Sequence, residues 1–220
     1  MIKKYFCVEL LTFIFATVFV SFIKVDDYNL LSYTTAEFWY KLLISFDEDF
    51  ISNFIWLIPI LYMLFFVSKT TYIRIMNFNN RYKNRRQYIN SCIKEFILFS
   101  VFVSLIFIII TFGFACFKYS DYLIFDFNIF AICLKFTFEI MLFELLIVVL
   151  AIFIKNYTYS YLVLVFVFII CIMFFKKKWI PIVSIFADYQ FNYWSFISFV
   201  LFYFLLRKVY LCLDIGGDYK

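Results

Sequence analysis

The chain has no histidine, and only three glycines and two prolines among 220 residues. Each shortage excludes something. Without His the commonest metal ligand and the commonest general base are missing, which removes intramembrane zinc proteolysis. Scarce Gly and Pro argue against disorder and against transporters built on broken helices, whose unwound segments use those residues. The six cysteines (Cys7, Cys92, Cys116, Cys133, Cys171, Cys212) form no CxxC pair. Most lie within or beside apolar runs, where Cys behaves as a small hydrophobe. No HExxH, GxSxG or Walker lysine occurs, and the Gly-Gly of the tail DIGGDYK lacks the strand and helix context of a phosphate loop. These absences argue against an enzyme. Charge is scarce too, at 16% of residues against about a quarter in a soluble domain.

What is present is apolar. Hydrophobic residues make up 66% of the chain and aromatics 26%, with a mean hydropathy of +0.96. A soluble core of this size cannot hide that much apolar surface. Phe, Ile, Tyr, Asn and Lys are abundant together, as AT-rich coding produces, so the 36 Phe and 18 Tyr do not by themselves mark an aromatic ligand cage. The expectation is an all-α, polytopic membrane protein, with residues 1–220 forming one membrane domain. A spanning helix needs about 20 mainly apolar residues. Six stretches qualify, at about 5–23, 50–67, 96–117, 129–154, 157–175 and 191–206. Continuous apolar runs favour helices over barrel strands, which would alternate. The first run is too long for a signal-peptide core and no small-residue cleavage pattern follows it, so it is read as a retained span. Pro59 in the second run predicts at most a kink.

Orientation follows from Lys and Arg in the connecting segments. With the N-terminus inside, thirteen basic residues fall on the inner side and six on the outer. Asp26, Asp27, Glu37, Asp47, Glu48 and Asp49 gather in the first outer segment. Both termini are therefore expected in the cytoplasm; Lys176–Lys178 is the discordant outer cluster. Ala36–Phe46 carries a helical apolar face with Trp39 and Tyr40, suited to lying at the interface. Trp179–Trp194, broken by Pro181, Asp188 and Asn192, reads as a short re-entrant or surface-lying helix before the last span.

Two sets of residues carry the functional signal. The first is Lys69–Lys94, KTTYIRIMNFNNRYKNRRQYINSCIK, which holds seven basic residues and no acid. Positive-inside charge attracted to anionic lipid accounts for such a segment at about 1 kcal/mol per basic residue near the surface. Interleaved Tyr82 and Tyr88 raise nucleic acid as a partner, which a loop pressed to the membrane disfavours. Its length, enough for several helical turns, favours docking of a cytoplasmic protein. The second set lies inside apolar runs: Glu9, Lys135, Glu139 and Glu144. Each costs roughly 2.5–3.5 kcal/mol at mid-membrane on insertion scales, so each needs a partner or water. Lys135 and Glu139 stand four residues apart on one helix and can neutralise each other. Glu144 lies well around that helix and needs a group from another helix or subunit. Glu9 can reach the headgroup zone or a residue of the basic segment. Either set of intramembrane charges reads as a polar route or as contacts that fix assembly.

Six spans with both ends inside, the stretch IRIMNFNNRYKNRRQYINSCIKE after span two, span three directly behind it, and a broken apolar segment before span six together resemble a known family. The chain resembles the small permease subunits of type-2, exporter-kind ATP-binding-cassette transporters, most nearly the compact bacterial permeases linked to export of, or immunity to, bacteriocins and other antimicrobial peptides. The resemblance covers most of the chain as topology and about 25 residues as sequence. It implies that Thr70–Ile93 is a coupling region seated on a separate ATPase subunit. Arg74, Arg81, Arg85 and Arg86 would be docking charges, with Tyr82, Lys83 and Tyr88 beside them. It further implies a second permease subunit, the same or different, and ATP and Mg bound by the partner ATPase and not by this chain. The setting would be the bacterial cytoplasmic membrane. Two other expectations stand beside it: a stand-alone membrane immunity or interaction protein without ATP coupling, and an ion-coupled subunit using Glu139 and Glu144.

Overall fold

The computed structural model describes residues 2–27, 43, 50–76, 85–119 and 127–173, with 197, 200, 201, 203, 204 and 208. Five helices appear: α1 (Ile2–Asp27), α2 (Phe50–Met76), α3 (Arg85–Lys118), α4 (Phe127–Ile154) and α5 (Tyr157–Met173). No strand occurs among the described residues. Three of the helices are long and apolar enough to cross a membrane: α2 over Ile58–Met76, α3 over Gln87–Lys118 and α4 over Ile129–Ile154. Shorter apolar stretches, Val8–Ile23 and Tyr157–Val167, lie in α1 and α5. Of the six expected spans, the first five coincide with helices. The sixth, about 191–206, falls mostly outside the described residues, although 197, 200, 201, 203 and 204 within it are helical. The segments Trp179–Trp194 and Lys176–Lys178 lie outside the described residues, as does Ala36–Phe46 except Leu43, which is helical and buried.

Helix lengths depart from the expected spans in one informative place. The apolar part of the third run is 96–117, yet α3 begins at Arg85 and is 34 residues long, which is about 51 Å at 1.5 Å per residue. A hydrocarbon core is about 30 Å thick. In the same way α2 continues past Val67 to Met76. Most of the basic segment is therefore not a loop; it is the ends of two helices, with only 77–84 between them. Nothing in the sequence of either end breaks a helix, and Lys, Arg, Gln and Glu are good helix formers. Pro59 sits inside α2 without interrupting it.

α2 packs against all four other helices, and α4 packs against α2, α3 and α5. The core between them is built from fully buried Phe13, Met63, Phe107 and Phe136 with many Ile, Leu and Val. Rings provide the interlocking that small residues provide in other membrane bundles. Phe107 of α3 stacks on Phe136 of α4 with centroids 5.3 Å apart. Phe66 of α2 meets Phe99 of α3 edge-to-face at 5.3 Å. Such pairs add about 0.5–1.5 kcal/mol beyond area burial. Gly113, by contrast, has no neighbour that a Cβ would meet, so it marks no close helix approach.

The α4–α5 joint is only Lys155 and Asn156. Lys155 adopts a left-handed φ of 55°, a conformation that ends a helix. Asn156 then caps α5: its Oδ1 accepts from the Tyr159 N–H at 3.2 Å, and its carbonyl accepts from the Ser160 hydroxyl at 2.9 Å. The tight joint turns the chain back so that α5 lies on α2. There the Tyr157 hydroxyl donates to the Phe65 carbonyl at 2.7 Å and the Tyr161 hydroxyl to the Leu61 carbonyl at 3.0 Å. Stepping up four residues on α5 steps down four on α2, so the two helices are antiparallel.

Candidate functional site

At one end of the bundle the tips of α2 and α3 are fastened together. Arg74, in the last turn of α2, forms an ion pair with Glu95 of α3. The Tyr88 hydroxyl of α3 donates to the Arg74 carbonyl. That carbonyl lies in the last turn of α2, where helix carbonyls have no intrahelical donor, so Tyr88 acts as a cap supplied by the neighbouring helix. Tyr88, Ile89, Cys92, Ile93 and Phe96 are buried. They follow 3–4 spacing, which places them along one face of α3.

The expected docking residues are thereby divided. Arg74 has its charge engaged by Glu95, with side chains 58% and 43% exposed, and Tyr88 faces inward and not toward a partner. Arg85 and Arg86 open α3; Arg81, Tyr82 and Lys83 lie outside the described residues. Glu95 was not expected. It is the first acid after the basic segment, but its link to Arg74, 21 positions earlier, is visible only once the hairpin of helices is known.

A second group lies within the bundle. Lys135 Nζ and Glu139 Oε1 stand 3.7 Å apart on α4, 1% and 0% exposed. The expected intrahelical pair is formed, at ion-pair rather than hydrogen-bond distance. Glu144, also 0% exposed, takes its partner from another helix, as expected: the Ser100 hydroxyl of α3 donates to its Oε2. That partner is neutral, and Oε1 of Glu144 has no hydrogen-bond partner. One turn along α3, the buried Ser104 hydroxyl also has none. The contacts Ser100–Glu144 and Phe107–Phe136 run in opposite directions along α3 and α4, so these helices are antiparallel and Ser104 falls between the two contacts. Glu9 of α1 accepts a hydrogen bond from the Tyr62 hydroxyl of α2. Its described partner is thus an apolar-span tyrosine and not a residue of the basic segment.

α2 and α5 meet through further hydroxyls. Ser68 Oγ and Tyr157 Oη are 2.8 Å apart. Tyr157 also stands among rings, with centroids 5.6 Å from Phe65, 5.7 Å from Tyr72 and 6.3 Å from Tyr161. Lys69 Nζ lies 4.8 Å above the Phe65 ring, a cation–π distance. Further along α3, the Ser21 and Thr111 hydroxyls are 3.3 Å apart and join α1 to α3. Among the described residues no cluster of three or more Cys, Asp or Glu has the grouping to hold a metal ion.

No protein-family model, curated protein or solved structure matches this chain.

Proposed function

We propose that this chain is the membrane-spanning permease subunit of an ATP-binding-cassette exporter in the bacterial cytoplasmic membrane. On this reading it crosses the membrane six times with both ends inside. It moves a peptide or another amphipathic substrate together with a second permease subunit. A separate ATPase subunit binds ATP and Mg and docks on residues 69–94.

The observation that carries the reading is the fastened pair of helix ends. A partner that drives transport by changing shape needs a stiff lever on the permease. Here the seven basic residues sit on or between two helices that continue directly into the bundle. Arg74–Glu95 and Tyr88–Arg74 tie those helices to each other. Force applied at Arg85 and Arg86 would enter α3, which packs on α1, α2 and α4. Closure of an ATPase dimer would then favour one arrangement of the helices, a population shift whose size is set by the difference in docking energy between arrangements. Attraction of lipid to basic residues accounts for the charge but not for the tie.

The test is isolation of the chain from its own cells in mild detergent, with the associated proteins identified by mass spectrometry. An ATPase subunit in the complex, weakened when Arg81, Arg85 and Arg86 are neutralised together, is the expected result. Recovery of intact chain without any ATPase, with peptide protection that survives deletion of neighbouring ATPases, would instead support a stand-alone immunity protein.

A further inference from the structure

Charge bookkeeping inside the bundle does not close. Lys135, Glu139 and Glu144 are the fully buried ionisable side chains among the described residues. Lys135 stands 3.7 Å from Glu139, which leaves Glu144 with a neutral hydroxyl as its hydrogen-bond donor. A carboxylate removed from water needs a countercharge or several donors, and inside a membrane an ionisable residue kept at that cost is by default functional. Along the α3–α4 seam several buried oxygens have no hydrogen-bond partner: Glu144 Oε1, both carboxyl oxygens of Glu139, and Ser104 Oγ, one turn along α3 from Ser100. An acceptor oxygen with one free position, on a seam that also carries a hydroxyl able to turn its lone pair inward one turn away, suits one positive charge. Hard monovalent cations take such oxygens, and so does a proton.

The groups around Glu144 fit this use. α3 offers Ser100 and Ser104 and no charged side chain at this level. α4 also packs on α2 and α5, whose Ser68, Tyr157 and Tyr161 hydroxyls are already engaged, with each other or with α2 carbonyls. Lys69, on α2, lies over Phe65. On α4 itself, Lys135 and Glu139 form an ion pair with each other, nine and five residues away. One added positive charge brings the three buried ionisable groups to neutrality.

We propose that Glu144 is a binding site for a single monovalent cation, a proton or an alkali ion, held at Oε1 between α3 and α4 with Ser100 fixing the other oxygen. Because Ser100 and Glu144 lie on different helices, occupancy of the site changes the strength of the α3–α4 contact. The site does not depend on the ATPase reading, and a permease without ATP coupling would carry it equally.

The experiment uses the full chain in lipid nanodiscs with carbon-13 label in glutamate side chains. The Glu144 carboxyl signal is assigned by its loss in Glu144→Gln, a variant that keeps an acceptor for Ser100. A signal that moves with pH at constant sodium identifies a proton. One that moves with sodium at constant pH, against potassium as control, identifies an alkali ion, and Ser104→Ala should weaken that response several-fold. A Glu144 signal that stays in place under both titrations overturns the proposal and leaves the carboxyl as a fixed contact between helices. Because the decisive signal is read from the unsubstituted protein, misfolding of a variant cannot produce that outcome.

Discussion

Arg74–Glu95 and Ser100–Glu144 both join neighbouring helices through a carboxylate, and they differ in nearly every physical respect. The first joins two full charges at a half-exposed helix end. The second joins a charge-bearing group to a neutral hydroxyl with no exposed surface. Water competes with the first, so its formation costs little and its loss costs little. Nothing competes with the second, so the carboxylate depends on what the protein provides. The wet contact joins the helix tips where water and a partner can reach them. The dry one is the place where a change of one charge would be felt by the whole bundle.

Lys135→Met should have the largest effect, because it leaves Glu139 buried without its countercharge. A loss of about 3–5 kcal/mol is expected, measured by reversible unfolding in detergent. Lys135→Met combined with Glu139→Leu should recover most of it. Next comes Ser100→Ala, which removes the donor to Glu144 and should cost about 1–3 kcal/mol. If pairing Ser100→Ala with Glu144→Leu brings no recovery, the contrast drawn above fails. Tyr157→Phe deletes a hydroxyl bonded to the Phe65 carbonyl and adjacent to Ser68, with an expected loss of about 1 kcal/mol and looser α2–α5 packing by hydrogen exchange. Arg74→Ala should change stability by less than about 1 kcal/mol, and the Arg74–Glu95 coupling in a double-mutant cycle should shrink further as salt is raised. A strong, salt-independent coupling there would mark a contact that water does not reach, and the contrast with Ser100–Glu144 would be lost.

The sequence made some of this legible and not the rest, for identifiable reasons. Apolar runs of about 20 residues announce their helices, so helices appear where the first five runs lie, three of them long and apolar enough to cross a membrane. The pairing of Lys135 with Glu139 is local, four residues on one helix, and so could be read directly. The partner of Glu144 is not local. That it must come from another helix followed from helical geometry, but Ser100 could be named only after α3 and α4 were seen to be antiparallel. Ser100 and Ser104, four apart in an apolar span, were the signal available. The basic segment looked like a loop because charge marks the end of a membrane span, whereas helix propensity does not stop where hydrocarbon stops. α2 and α3 therefore run on past their apolar parts. Arg74 is a docking charge only by the family resemblance, and the seven basic residues around it stand without an acid among them; Glu95 lies one position beyond that window.

The claim that organises this account is that the basic helix ends receive an ATPase. A photo-crosslinking amino acid placed at Tyr82, in the link between α2 and α3, reads it out in intact cells. The account predicts one dominant adduct containing an ATP-binding-cassette ATPase subunit, reduced when Arg81, Arg85 and Arg86 are neutralised. Adducts with lipid alone, from a chain that still protects or exports, would contradict it.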